Sequence, residues 1–279
     1  MDERFDKRTP PLVLSFAASD PSGGAGLQAD LLTIGTLGCH PLSVITALTV
    51  QDTVGVSHLL PVDPAYVEQQ ARGLLMDMPV AACKVGLTGS VDNIAAIARV
   101  LAEHPHVPVV VDPVLASGRG DPLADEKTID ALFDQLFPLA TLLTPNTLEA
   151  KRLARTVLNE EPSGGPAQAQ HLLTSGCEYV LLTGTHATTE QVENTLFRRG
   201  HGLLRRDCWP RLADSYHGSG CTLASAIAAF LGRGSSVVDA VYLAQAYTWR
   251  TLAAGFRPGR GQHIPNRFFA SSAPMVGER

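Results

Sequence analysis

The chain has 279 residues, 45% of them hydrophobic and 18% charged, which gives enough material for a sizeable core and matches a folded enzyme. Its formal net charge of −5 argues against an electrostatic grip on nucleic acid or on acidic membranes. No apolar run is long enough to span a bilayer. The opening MDERFDKRTPP is charged and has no apolar stretch, so residues 1–11 read as a loose tail rather than a signal peptide. Residues 271–279 read as a second tail. The five cysteines, Cys39, Cys83, Cys177, Cys208 and Cys221, are odd in number, scattered and without a CxxC pair. That argues against a disulfide framework and a zinc site and fits a reducing cytosol, so the expected location is cytoplasmic.

In chain order, short β-rich runs alternate with amphipathic helical runs. Residues 12–18 read as a buried strand and 27–37 as a helix closed by Gly38. Residues 43–50 form a strand, 65–76 a helix, 81–87 a strand and 91–103 a helix. The run VPVVVD, 107–112, is nearly all apolar, as a central parallel strand covered on both faces requires. A helix over 129–137, a strand over 142–144 and a helix over 148–154 follow. The stretch EEPSGGP, 160–166, is the best linker within the domain. A helix over 167–174 leads to a strand over 179–183. Strands 192–198 and 202–209, joined around Gly200, predict a hairpin at the far edge of the sheet. Helices over 222–231 and 236–254 close the chain. The alternation predicts one doubly wound α/β domain over 12–270.

In such sheets ligands sit beyond the carboxyl ends of the strands, so the strand exits carry the candidate chemistry. AASDPSGGAGLQAD, 17–30, is a glycine-rich strand-to-helix turn. It lacks the spacing of a dinucleotide fingerprint and the lysine of a P-loop. It reads either as a tight turn or as backbone that lets a small ligand approach, with Asp30 facing it. Gln51, in TVQDTVG, offers one planar amide that both donates and accepts, which suits a heteroaromatic ring; a solvated turn is the other reading. Asp112 ends the central strand, followed by LASGRGDPL, 115–123, a polar glycine-rich lid. Asn146 and Glu149, in TPNTLEA, either present oxygens to Mg²⁺ or form a helix capping box, and both can hold. LLTGTHATTE, 181–190, supplies hydroxyls and amides, Thr183 and Thr185 among them, for nucleotide phosphates.

HGSGCT, 217–222, carries the most information. Gly218, Ser219, Gly220 and Cys221 immediately precede a helix, where free amides and the macrodipole attract an anion. The same field is expected to lower the thiol pKa of Cys221. An ordinary helix start capped by Ser219 is the plainer reading. The nine histidines are dispersed without a metal-binding spacing, and Trp209 and Trp249 read as packing residues.

Together, SDPSGGAGLQADL, SVITALTVQDTVGV, KVG, DPV, TPNTLEA and HGSGCTLASAIAA resemble, in this order, the hydroxymethylpyrimidine/phosphomethylpyrimidine kinases of thiamine biosynthesis. The resemblance implies a ribokinase-like three-layer α/β sandwich, with a central mostly parallel sheet, helices on both faces and an edge hairpin. It also implies an ATP- and Mg²⁺-dependent kinase acting on 4-amino-5-hydroxymethyl-2-methylpyrimidine and then on its monophosphate, and a homodimer. By that resemblance Gln51, Asp30, Ala18, Thr49, Leu87 and Val114 bind the pyrimidine. Asp112, Asn146, Thr183 and Thr185 lie on the nucleotide side, Asp112 and Glu149 near Mg²⁺. Gly218, Ser219 and Gly220 form an anion hole with Cys221 as the base. Many such kinases have glycine where this chain has Ala18, and lysine where it has Thr183; Arg119 is expected to supply the missing charge. Pyridoxal kinase is the neighbouring alternative. A thiol hydrolase pairing Cys221 with His217, and a nucleotide sensor, are the alternatives from other classes.

Overall fold

The structure is a computed structural model that describes residues 9–117, 120–158, 164–185 and 189–270. One nine-stranded sheet runs through it in the order β3-β2-β1-β4-β5-β6-β7-β8-β9. The six central strands are β2 (His40–Gln51), β1 (Leu12–Ser19), β4 (Val80–Val85), β5 (Val109–Val111), β6 (Leu142–Leu143) and β7 (Tyr179–Thr183). All are parallel to their neighbours within that set. At one edge β8 (Gln191–Arg198) and β9 (Gly202–Pro210) form the expected antiparallel hairpin.

The other edge also carries a hairpin, between β2 and β3 (Val56–Pro61), and the sequence reading had no β3. The reason is physical. Both faces of VSHLLP stay largely open, so it shows no buried alternation, and it ends in proline. The turn between the two strands is closed by Asp52, whose side chain accepts from the amides of Val54 at 2.8 Å and Gly55 at 3.2 Å.

Successive strand residues point to opposite faces, and here both faces are covered. Leu12, Leu14 and Phe16 of β1 enter one apolar cluster and Val13 enters the other. The first cluster is built with α2 (Pro64–Asp77), α3 (Val91–Ala102), α4 (Glu126–Ala131), α5 (Thr147–Leu158) and α6 (Gly165–Leu173). The second is built with α1 (Gly26–Thr36), α7 (Ser219–Gly232) and α8 (Val237–Ala253). The helix expected over 129–137 starts earlier, capped by Asp125 on the Thr128 amide. It then loosens into a π turn and a 3₁₀ turn where Pro138 would break a regular helix.

Helix α7 is rich in small residues, so it lies close on the sheet. A β-carbon at Gly232 would sit 3.1 Å from the Val13 side chain. This close seat carries the first turn of α7 over the exit of β5: Gly220 lies against Asp112, a β-carbon built there falling 3.6 Å from the carboxylate. Among the described residues, no helix is long and apolar enough to cross a membrane.

Candidate active site

A cavity of about 590 Å³ opens at the carboxyl ends of the parallel strands. Fourteen expected residues line it: Ala18, Thr49, Gln51, Leu87, Asp112, Val114, Asn146, Glu149, Thr183, Thr185, Gly218, Ser219, Gly220 and Cys221. The two other expected residues are Arg119 and Asp30. Arg119 lies outside the described residues, as does most of the expected linker 160–166. Asp30 is fully buried behind the cavity wall. Its carboxylate accepts from Ser15 Oγ at 2.6 Å, Ser225 Oγ at 2.6 Å and Lys84 Nζ at 2.8 and 3.0 Å. The expectation that Asp30 faces a ligand is therefore wrong. Its oxygens are already taken by side chains that β1, β4 and α7 bring from far along the chain.

The two glycine-rich turns are one structure. Asp20, 1% exposed, accepts from the amides of Ser22 at 2.8 Å and Ala25 at 2.7 Å, and His217 Nε2 donates to it at 2.9 Å. Burial pushes its carboxyl up, but the bonds from His217, Gln51, Ala25 and Ser22 outweigh that and hold it well below the usual carboxylate range. Gly218 caps α7 with φ +83° and no side-chain cap, so Ser219 begins the helix rather than capping it. A β-carbon at 218 would collide with the Gly24 carbonyl oxygen. The buried Arg267 fastens the assembly, donating to the Gly24 carbonyl at 2.6 Å, the Gly23 carbonyl at 3.3 Å and Thr222 Oγ1 at 3.1 Å.

Cys221 is partly exposed on the cavity wall. Its thiol is not the thiolate expected from the helix terminus. Burial pushes it up to about 12 and the charges of Asp30 and Asp112 add to that, while Lys84 and a hydrogen bond from the Gly26 backbone act the other way without offsetting it. Desolvation, with the charges of two carboxylates, therefore sets the thiol above its ordinary value.

Asn146 and Glu149 do form a capping box. Asn146 Oδ1 accepts from the amides of Leu148 and Glu149, both at 2.9 Å, and Glu149 Oε2 accepts from the Asn146 amide at 2.9 Å. Glu149 still lines the cavity together with Asp112. Burial raises the pKa of both carboxyls, and the charge of Asp112 raises Glu149 further. Among the described residues no cluster of three or more His, Cys, Asp or Glu side chains could hold a metal. The pair is thus a sparse, oxygen-only donor set.

At the far end, a polar chain supports the exit of β7. Asn194 Oδ1 accepts from the Gly184 amide at 3.0 Å, and its amide donates to Gln245 Oε1 at 2.8 Å. Gln245 donates to Asp207 at 2.9 Å and accepts from Trp209 Nε1 at 2.9 Å. Arg211 holds the carbonyls of Thr189 at 2.6 Å, Thr185 at 2.8 Å and Gly184 at 3.4 Å.

Residues 20–266 match the family model described as phosphomethylpyrimidine kinase. The chain is also 41% identical over 255 residues to the hydroxymethylpyrimidine/phosphomethylpyrimidine kinase of Mycobacterium bovis, covering 91% of this chain and 92% of that one. The chain belongs to the phosphomethylpyrimidine kinase family. This kinase is 40% identical over 271 residues to the thiamine biosynthesis bifunctional protein ThiED of Geobacter sulfurreducens, covering 96% of its own length but 55% of that longer relative. Among solved structures it resembles the phosphomethylpyrimidine kinase of Clostridium difficile, with TM-score 0.72 and 31% identity over 85% of this chain and 97% of that one. It also resembles an ADP complex of Bacillus subtilis pyridoxal kinase, with TM-score 0.85 and 26% identity over 95% and 100%.

Sequence reasoning missed several residues of this kinase's cavity. Asp20 and His217 meet across 197 residues of chain, and no local pattern pairs them. Trp209 and Trp249, read as packing residues, both line the cavity. Their ring N–H groups are tied to Gln245 and to the Pro210 carbonyl, which leaves indole surface for a ligand. The one available signal was position, since Trp209 lies at the end of a strand in the last hairpin of the sheet.

Proposed function

We propose that this kinase transfers the γ-phosphoryl group of ATP to the hydroxymethyl oxygen of 4-amino-5-hydroxymethyl-2-methylpyrimidine, and then a second group to the resulting monophosphate. The observation that carries this reading is continuity. One cavity joins the Asp20, Gln51 and His217 cradle, the 218–221 loop, the Asp112 and Glu149 pair, and the wall of Trp209, Arg211 and Gln245. The Mycobacterium bovis relative is named for both kinase steps. The pyridoxal kinase neighbours, solved with ADP or AMP-PCP, support a nucleoside triphosphate as donor.

The chain's own residues divide the work. Ala18, Leu87 and Val114 offer apolar surface to a flat ring, and Gln51 offers it an amide pair. Thr49 gives its hydroxyl hydrogen to the Ser19 carbonyl at 2.8 Å, so it shapes the pocket wall. Asn146, Thr183 and Thr185 stand on the nucleotide side. The amides that open α7 face the group in transit, where fixed dipoles stabilise developing charge. Asp112 and Glu149 fit a hard cation held largely by water and phosphate oxygens, so they would hold Mg²⁺, which supplies charge neutralisation on the phosphates.

The role of Cys221 in this reading differs from the base expected of it. Its thiol keeps its proton in the free protein. Phosphoryl transfer passes through a loose transition state in which the hydroxyl proton need not leave early. Cys221 then contributes its backbone amide and its place in the loop. Cys221→Ala, which keeps that amide, is expected to leave the rates of both phosphorylations within about threefold of the unaltered protein's. A loss confined to the first step, where alone a hydroxyl proton must leave, would restore the base.

A second reading, phosphorylation of pyridoxal, is favoured by the closer backbone match to the pyridoxal kinase, TM-score 0.85 against 0.72. Sequence identity favours the pyrimidine, 31% against 26%.

A further inference from the structure

Phosphoryl transfer concentrates negative charge, and among the described residues this cavity is short of cations. Position 183 is threonine. Among the described residues that line the cavity, Lys84 and Arg211 are the lysine and arginine. Arg211 stands at the nucleotide end with its guanidinium on three backbone carbonyls. Lys84 comes up from the last turn of β4, beside β5 and Asp112, and is fully buried.

Lys84 is paired with Asp30, and the pair has a direction. Asp30 does not line the cavity, and its oxygens are held from behind by Ser15 and Ser225. Lys84 does line it, while its ammonium holds Asp30 at 2.8 Å. The ammonium is kept charged: burial opposes it, but the charge of Asp30, the charge of Asp112 and the hydrogen bond to Asp30 prevail, and its pKa lies above the ordinary lysine value. Its seat is tight, because a β-carbon on Gly86 would run into Nζ.

We propose that Lys84 is a positioning residue for the transfer step, a fixed buried cation whose positive end Asp30 aims through the 220–221 turn at the phosphoryl group in transit. It stands in for the lysine that position 183 lacks. A buried, preorganised charge acts without reorganising when the reaction occurs. Asp30 sets its direction, the serines satisfy the remaining capacity of Asp30's oxygens, and the charge acts on the reaction. This inference rests on the kinase reading given above.

A charge-neutral replacement of the pair separates charge from scaffolding. Lys84→Met combined with Asp30→Asn removes both charges and leaves no uncompensated buried ion. The expected result is a folded protein with near-native thermal unfolding, KM for both substrates within about threefold, and kcat lowered about 100-fold. Thr183→Lys added to this background is expected to recover at least about tenfold of that kcat. Native kcat in the folded double variant would overturn the proposal. Ser225→Ala tests the same network with no charge changed, in case the double variant does not fold. A lower melting temperature with kcat within about threefold is expected. A tenfold loss of kcat in Ser225→Ala would overturn the proposal, since geometry and not charge would then be what the network supplies. If the unaltered protein transfers no phosphoryl group to the pyrimidine, the kinase reading itself fails, independently of Lys84.

Discussion

Asp112 and Glu149 give the site a signature in its response to pH. Burial raises both carboxyl pKa values, so the folded protein holds protons there that the unfolded chain has already released. Their contribution to stability is full below the ordinary carboxylate range and is lost as pH rises through the raised folded values. Asp20, with a depressed folded pKa, behaves in the opposite sense; its contribution is lost only as pH falls below the ordinary range, outside that window. On the proposed reading a divalent cation binds the ionised pair, so its stabilising effect is expected to grow over the same window. Added MgCl₂ is expected to raise the melting temperature more at about pH 8 than at about pH 5.5. Equal shifts at the two values, measured as increments over the metal-free protein, would remove Asp112 and Glu149 as the cation site.

The exit of β7 shows how the elements carry function. Three elements, β7, β8 and the end of β9, converge there, and Arg211 ties the carbonyls of Gly184, Thr185 and Thr189. Arg211→Leu is expected to raise KM for ATP about tenfold and leave kcat within about threefold, because it loosens the nucleotide side without touching the 218–221 loop. A fall in kcat at unchanged KM would place Arg211 in the transfer step instead. The same region marks the limit of what could be read in the sequence. Buried parallel strands such as VPVVVD announce themselves, and so do the glycine turns at their ends, because both patterns are local. β3 did not, since neither of its faces is well buried. Asp30 was misplaced because Ser15, Lys84 and Ser225, which claim its oxygens, are scattered over the chain. The Cys221 thiol was misjudged for a related reason: its helix terminus is visible in HGSGCT, while the burial that chiefly raises its pKa and the two carboxylates that add to it are not.

At the scale of the whole molecule, the two hairpins frame the cavity from opposite edges of the sheet. The β2–β3 ribbon turns Gln51 and Thr49 inward and leaves Leu48, Val50 and Leu60 exposed by 49%, 61% and 65%, with Leu48 directly opposite Leu60. Such an apolar face on an edge ribbon supports the homodimer that the family resemblance implies. Sedimentation velocity is expected to give a dimer that Leu60→Lys dissociates, and a monomeric unaltered protein would contradict it. The central claim remains chemical. It is tested most directly by incubating the purified protein with ATP and MgCl₂, separately with 4-amino-5-hydroxymethyl-2-methylpyrimidine and with pyridoxal, and resolving the products over time. The account predicts pyrimidine monophosphate followed by diphosphate, with a higher kcat/KM on the pyrimidine than on pyridoxal. Monophosphate that never proceeds to diphosphate, or a preference for pyridoxal, would contradict it.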